Sequence, residues 1–385
     1  MSQHTFYEFF AGGGMARAGL GAQWQCLFAN DFDAKKVEAY KANWGDKEIV
    51  CGDIHKLSVS DLPGQADLAW ASFPCQDLSL AGNGAGLKGE RSGSFWGFWQ
   101  LIHGLKTQRR APKVLVLENV TGALTSNGGK DFEELCRALH ALGYKFGALV
   151  IDAVHFVPQS RPRLFIVAVR GDVDVPEFLG DGEPSALWAI SALRRAHEAL
   201  PPRLKAAWRW WDLPKPTGAN ATLGDLIEAN PSDVDWHSSD QTARLLSMMS
   251  DPSLSRLEAA KNSRSLMIGT IYRRTRPDEN GVKRQRAELR FDGVAGCLRT
   301  PGGGSSRQII LAVRGESVRS RLLSGREAAR LMGLPDEFKL PENYNETYHL
   351  LGDGLVVPVV KFLSDSLLLQ IGGADRDQAT MLAAE

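Results

Sequence analysis

The chain has 385 residues, 43% of them hydrophobic, and its 45 Lys+Arg balance 45 Asp+Glu, so net charge is zero and by itself indicates no partner. That length exceeds one ordinary compact domain and predicts two. No apolar run approaches the ~20 residues of a membrane helix. MSQHTFYEFF lacks a basic-then-apolar signal pattern, and five scattered cysteines (26, 51, 75, 136, 297) outline neither a disulfide framework nor a zinc site.

In chain order, short apolar runs at TFYEFFA, WQCLFA, EIVC, ADLAWAS, KVLVLE, FGALVI and RLFIVAV read as strands. Helix-like stretches lie between several of them: ARAGLGA, DAKKVEAYKANW, SFWGFWQLIHGL and DFEELCRALHAL. This βαβα rhythm over residues 1–170 predicts an α/β domain, a parallel sheet with helices on both faces. From 171 to 318 Trp, Pro and Arg become common and periodicity weakens, so a second domain is expected there. Residues 261–330 hold 16 Lys/Arg against 6 Asp/Glu, a basic surface suited to phosphates. Regular structure returns over 319–371, with Ser324 as a helix N-cap before REAARLMGLP and an apolar helix, VVPVVKFLSDSLLLQI, near the end. The tail 372–385 is expected to be mobile.

The unusual polar residues fall at predicted strand ends. Ligands of open parallel sheets bind beyond the carboxyl ends of the strands. The first strand runs into Ala11-Gly12-Gly13-Gly14, where glycine lets backbone approach a ligand. The second ends at Asn30-Asp31, the third at Gly52-Asp53, the fourth at Pro74-Cys75-Gln76, the fifth at Glu118-Asn119. Asp31 suits a ribose diol, Phe32 could stack on a purine, and Asp53 could accept from an exocyclic amine. Without full GxGxxG spacing the set fits S-adenosylmethionine better than NAD. Cys75 reads as a candidate nucleophile and Glu118 as an acid whose apolar strand raises its pKa. Gln159, Arg161 and Arg163, spaced i, i+2, i+4, are expected to share one face of a strand that begins near Pro158 and Pro162.

A thiol, an acid, paired arginines and a nucleoside pocket, in this order, resemble the DNA (cytosine-5)-methyltransferases over residues 5–365. FFAGGGMARAGL is similar to the family's first glycine motif, NDFD and GDI to its ribose and adenine contacts, and FPCQDLS to its nucleophile motif. RSGSFW, LENV, QSRPRLF, REAARLMGLPDEF and GDGLVVPVV follow in unpermuted order. The chain departs from the pattern at Met15, where the family usually has glycine, and at Asp353, where it usually has asparagine; both changes direct attention to cofactor affinity.

The resemblance implies a Rossmann-like S-adenosylmethionine-dependent methyltransferase domain and a smaller, irregular target-recognition domain. It implies methyl transfer to cytosine C5 in double-stranded DNA through a Cys75–C6 bond and an extruded base, with Glu118, Arg161, Arg163 and Gln159 completing the catalytic set. Phe10, Ala11, Gly12, Gly14, Asp31, Phe32, Asp53, Ile54, Pro74, Ser94 and Asp353 would bind the cofactor. Arg273, Arg274, Arg299, Thr300, Gly302, Gly303, Ser305 and Arg307 would meet DNA, from the glycine-rich loop LRTPGGGSSRQ and a second loop at GTIYRRTRP. Residues 80–93 are expected to close over the base. A monomer in the cytoplasm is expected, with a cognate restriction endonuclease as a possible companion. A tRNA cytosine-5 methyltransferase and a catalytically inactive DNA-binding regulator remain as alternatives.

Overall fold

The computed structural model describes residues 3–74, 93–180, 182–218, 221–263, 265–277, 281–300 and 307–371. Two compact units divide the chain: residues 1–151, 162–216 and 359–385 form the first, residues 152–161 and 217–358 the second.

The first unit is built on seven strands: β1 (His4–Phe9), β2 (Trp24–Asp31), β3 (Ile49–Cys51), β4 (Leu68–Ala71), β5 (Val114–Val120), β6 (Tyr144–Asp152) and β7 (Pro162–Arg170). Their order is β3-β2-β1-β4-β5-β7-β6. β1 pairs parallel with β2 and β4, β2 with β3, and β4 with β5, whereas β7 runs antiparallel to β5. The expected parallel sheet is therefore present with one reversed strand. Helices α1 (Met15–Leu20), α2 (Ala34–Trp44), α3 (Ser94–Thr107) and α4 (Lys130–Ala141) follow β1, β2, β4 and β5. Asp33 caps α2 by accepting from the Lys35 N–H at 2.9 Å, one of the orphan donors every helix start leaves.

Burial explains the strand composition. β4 (LAWA) is wholly buried and β5 (VLVLENV) nearly so, as expected for strands covered on both faces. α3 lays Phe95, Phe98, Leu101, Ile102 and Leu105 on this sheet; the Phe98 ring meets Phe9 edge-on at 5.3 Å, and Phe95 lies 5.4 Å from Phe73.

The boundary expected at 170/171 falls inside the first unit. Residues 171–216, with α5 (Ser191–Glu198) and α6 (Pro202–Lys205), cover the edge strand β6. The Phe146 N–H donates to the Ala207 carbonyl (3.0 Å), the Arg209 N–H to the Phe146 carbonyl (2.8 Å) and the Val150 N–H to the Trp188 carbonyl (2.9 Å). Trp188 and Trp211 are almost fully buried. The Trp-rich texture is thus a strap that closes a sheet edge.

After residues 152–161, the second unit continues with α7 (Leu223–Leu226), α8 (Ser239–Leu246) and α9 (Asp251–Lys261), then β8 (Met267–Pro277), β9 (Lys283–Arg290), β10 (Ile309–Arg314) and β11 (Ser317–Leu322). It is not irregular: the strands form an antiparallel sheet in the order β11-β10-β8-β9. Leu245, Leu257 and Ala260 from the helices, with Met249 from the link between α8 and α9, pack on Ile271, Ala287, Leu289, Ile309, Leu311 and Val313. GTIYRRTRP, expected as a loop, lies within β8. α10 (Gly325–Leu331) starts at Ser324, whose hydroxyl accepts from the Glu327 N–H in a capping box. Glu327 also pairs with Arg321 (2.6 and 2.8 Å), both side chains being fully buried. α11 (Tyr344–Asp353) precedes α12 (Val357–Leu363), whose Val359 onward returns to the first unit.

The helical run Tyr344–Ile371 is long and apolar enough to cross a membrane by length and composition, but half of its apolar window is buried. It is broken at 354–356, and the Trp24 Nε1–H donates to the Ser364 hydroxyl at 2.9 Å. Those are the marks of a core element.

Candidate active site

Strand register places the candidate residues. Phe9 lies beside Asn30 and Ala71, Asp31 beside Cys51, and Ala71 beside Leu117. Parallel pairing therefore brings the segments after Phe9, Asp31, Cys51, Ala71 and Leu117 to one edge. Because β7 runs the other way, its first residues, Pro162 and Arg163, arrive at that same edge, Arg163 opposite Val120.

At the edge the chain turns through Phe10 (φ 58°), Gly12 (φ 55°) and Gly14 (φ 78°). A left-handed backbone is ordinary for glycine and strained for phenylalanine, and such strain gathers at functional positions. At Gly14 a Cβ would press into the Trp44 indole, whose Nε1–H donates to the Gly13 carbonyl at 3.1 Å. At Gly12 a Cβ would meet nothing within 4 Å, so the turn borders open space. Ala11 donates to the Asn30 carbonyl (2.9 Å), joining the turn to β2.

Asp31 is 8% exposed. Its Oδ2 accepts from the Gly12 N–H and its Oδ1 from the Asp33 N–H, both at 2.8 Å. A carboxylate has about four lone-pair sites, so each oxygen can still accept from one hydroxyl of a diol. Burial raises the Asp31 pKa, against the lowering effect of those two N–H groups. Phe32 next to it is 76% exposed, an aromatic face open for stacking. Asn30 donates to the Val50 and Gly52 carbonyls (3.0 Å each) and so fixes the entry to Asp53. Asp53 also caps a short turn, Oδ1 accepting from the His55 N–H at 3.0 Å. Ile54 is buried, and Ser94 opens α3.

Of the candidate catalytic residues, Glu118 and Arg163 are brought together as an ion pair. Residues 118 and 120 share a face of β5, and Arg163 opposes 120, so its guanidinium reaches diagonally back. Arg163 Nε lies 3.3 Å from Glu118 Oε1, the side chains being 17% and 10% exposed. Asn119 donates to the Phe73 carbonyl at 3.0 Å. That bond ties the end of β4 to the residue beside Glu118 and holds Pro74, which is exposed. Cys75, the next residue, lies outside the described residues, as do the rest of the loop expected to close over the base, Gly302, Gly303, Ser305 and the tail.

Gln159 and Arg161 take a different part from the one expected. Both precede β7 rather than sharing a strand face with Arg163. Gln159 is fully buried; it donates to the Leu331 carbonyl (2.8 Å) and accepts from the Leu298 N–H (3.0 Å). Arg161, 2% exposed, donates to the carbonyls of Leu298 (2.6 Å), Gly352 and Gly354 (2.8 Å each). Its Nη1 also donates to the Cys297 sulfur at 3.3 Å, so these bonds brace the second unit. Asp353 accepts from the Thr300 hydroxyl.

The candidate DNA residues divide into two groups. Arg273 and Arg307 line a cavity of about 440 Å³ with His237, Gln241 and Arg244. Arg274 and Arg299 line another, of about 290 Å³. Neighbours on a strand point to opposite faces, which separates Arg273 from Arg274.

Glu8 was not singled out by sequence reasoning, although a carboxylate inside TFYEFF was the available signal. It is 1% exposed. Burial pushes its pKa up to about 8, opposed by the Arg17 and Ala16 N–H groups of α1 and by the Arg17 charge. With a folded pKa above the ordinary value of 4.5, the native state binds the extra proton. The stability this provides is complete at low pH and is lost as pH rises from about 4.5 to about 8. Glu8→Gln should therefore gain on the wild type across that window, by at most ~1.4 kcal/mol per pH unit, and show no such gain outside it. Urea unfolding at several pH values measures the slope.

Sheet order, the reversed strand and the crowded carboxyl edge define a Rossmann-like methyltransferase domain. A family model for C-5 cytosine-specific DNA methylases matches residues 4–368, and the chain belongs to that family. It is a methyltransferase that acts on C5 of cytosine in DNA. Among its relatives, type II methyltransferase M.BsuFI of Bacillus subtilis is 26% identical, over 94% of this chain and 72% of the relative. Type II methyltransferase M.HhaI of Haemophilus parahaemolyticus is 25% identical, over 93% and 92%. The fold is similar to that of the S. pombe Dnmt2 methyltransferase (TM-score 0.58, 18% identity, 96% of this chain and 99% of that one).

Proposed function

We propose that this enzyme takes its methyl group from S-adenosylmethionine, held at the carboxyl edge of the first unit, and passes it to a cytosine extruded from duplex DNA. The supporting observation is the convergence at that edge: the open glycine turn, Asp31 with spare acceptor capacity, exposed Phe32, and the Glu118–Arg163 pair beside the segment that enters Cys75. Bound there, the cofactor supplies an electrophilic methyl on a sulfonium. Asp31 would accept from the ribose hydroxyls, Phe32 would cover the adenine, and Asp53 would receive its amino group.

Cytosine C5 is a weak nucleophile. The Cys75 thiolate would add to C6, and the electron pair displaced toward C5 would take the methyl as the methyl–sulfur bond breaks and its electron pair stays on the departing thioether. A proton held between Glu118 and ring nitrogen N3 offsets the density that arrives with sulfur, and Arg163 bonds the ring carbonyl O2. Loss of the C5 proton to a base then restores the double bond and releases the thiolate. The target carbon cannot be reached inside a stacked duplex, so the base leaves the helix at a cost of a few kcal/mol. The protein acts as a monomer in the cytoplasm, and the type II character of its relatives supports a companion restriction endonuclease.

DNA binding in this reading rests on the second unit. Arg274 opposes Arg286 across β8–β9. Like charges directly opposite each other destabilise a sheet, and a phosphate backbone would relieve that repulsion. Exposed Lys283, Arg284 and Arg286 replaced together by alanine should lower the slope of log K against log salt by up to about 3. Fluorescence-anisotropy titrations at graded salt read it; an unchanged slope removes the hairpin from the interface. The reaction itself is tested by bisulfite sequencing of DNA from cells that express the protein, which reports 5-methylcytosine and its sequence context together. Absence of 5-methylcytosine would overturn the reading.

A further inference from the structure

The 290 Å³ cavity of the second unit has a feature that packing does not explain. Gln308 lines it and is 1% exposed, yet neither Nε2 nor Oε1 of its amide has a hydrogen-bond partner. An unmet buried amide costs roughly 1–3 kcal/mol. The backbone that carries it is also firmly placed. The Gln308 N–H donates to the Tyr348 hydroxyl (2.9 Å) and its carbonyl accepts from the Leu323 N–H (3.0 Å). Antiparallel register sets Ile309 opposite Ile271, so Gln308 comes next to Tyr272. The Tyr272 ring carries Arg274 at 5.1 Å and Arg299 at 5.8 Å from its centroid. Gly296 keeps the cavity open on the amide side, since a Cβ there would lie 3.0 Å from Gln308 Nε2.

We propose that this cavity is a nucleobase-reading site and that Gln308 determines one position of the DNA target. A planar amide that offers one donor and one acceptor side by side matches a base edge bidentately. The adjoining aromatic ring and guanidiniums suit a base face and its phosphate. Either a base still stacked in the duplex or a second extruded base presents that chemistry. The assignment rests on the DNA-methylating function proposed above.

The test is methylation of a randomised duplex pool by the wild type, Gln308→Leu and Gln308→Glu, read by bisulfite sequencing, with thermal unfolding of each protein. Leucine removes both hydrogen-bonding groups at similar volume, and glutamate keeps the shape but loses the donor. In Gln308→Leu, discrimination at a single target position should fall roughly tenfold or more while the other positions hold. In Gln308→Glu, preference at that position should move toward adenine or cytosine, whose amino groups donate. If Gln308→Leu does not fold, the glutamate variant decides alone. An unchanged target in the folded variants, or an equal loss in every context, overturns the proposal and leaves Gln308 the host of a buried water only. 2-Aminopurine at the position so identified separates the sources: fluorescence rises on binding for an extruded base and stays quenched for a stacked one. No methylation by the wild type would count against the proposed function instead.

Discussion

Alanine in place of Cys75 should lower methyl transfer by at least about 10³-fold while duplex DNA still binds. Without sulfur at C6 the ring has no route to an enamine, and C5 must attack the methyl group as an aromatic carbon of low nucleophilicity. The residues before Cys75 bear on this expectation. Ser72 donates to the Phe9 carbonyl at 3.4 Å and Asn119 to the Phe73 carbonyl at 3.0 Å, so the approach to position 75 is anchored to both β1 and β5. A duplex carrying 5-fluorocytosine gives an independent readout. Fluorine at C5 leaves no proton to remove, so the thiolate cannot depart and the wild type should stay bonded to the DNA after denaturation. Cys75→Ala should form no such complex. An active alanine variant would mean that the methyl group reaches cytosine without a covalent intermediate.

Glu118→Gln should cost about 10²- to 10³-fold in kcat. The amide can still donate to the ring but cannot hold a proton in common with N3, so charge that builds on the pyrimidine goes unmatched. The substitution also removes the partner of Arg163, 3.3 Å away and mostly buried, which should lower stability by up to ~3 kcal/mol after allowance for partial exposure. Single-turnover kinetics and thermal unfolding separate the two effects. Catalysis that falls while most of the protein stays folded supports the assigned role. A rate loss that tracks unfolding would reduce Glu118 to a structural ion-pair partner.

How much of this was legible beforehand varies along the chain. The runs that became β1 to β7 were readable because both faces of their sheet are covered, which leaves near-continuous apolar stretches such as LAWA and VLVLENV. β8 and β9 were not: among KRQRAELR only Ala287 and Leu289 are buried, too few to impose a period of two. The Trp-rich segment 188–211 was assigned to the second domain on its composition, but the open edge of β6 needed a cover, and composition does not say which edge a tryptophan will meet.

The linear order of residues was enough to gather the candidate residues at one edge. Successive parallel strands must deliver their carboxyl ends to the same side, so Gly12, Asp31, Asp53 and Glu118 could be assembled without coordinates. Only the tertiary structure decided what each donor and acceptor is committed to. Gln159, Arg161 and Arg163 are evenly spaced in QSRPR. Gln159 and Arg161 nevertheless bond to backbone carbonyl and amide groups at residues 298, 331, 352 and 354 and to the sulfurs of Met332 and Cys297, while Arg163 pairs with Glu118. Gln308 likewise looks ordinary in SSRQII, and its unmet amide is visible only once every neighbour has been placed. Spacing fixes where a side chain starts, but its partner is chosen by long-range packing, which no local pattern records.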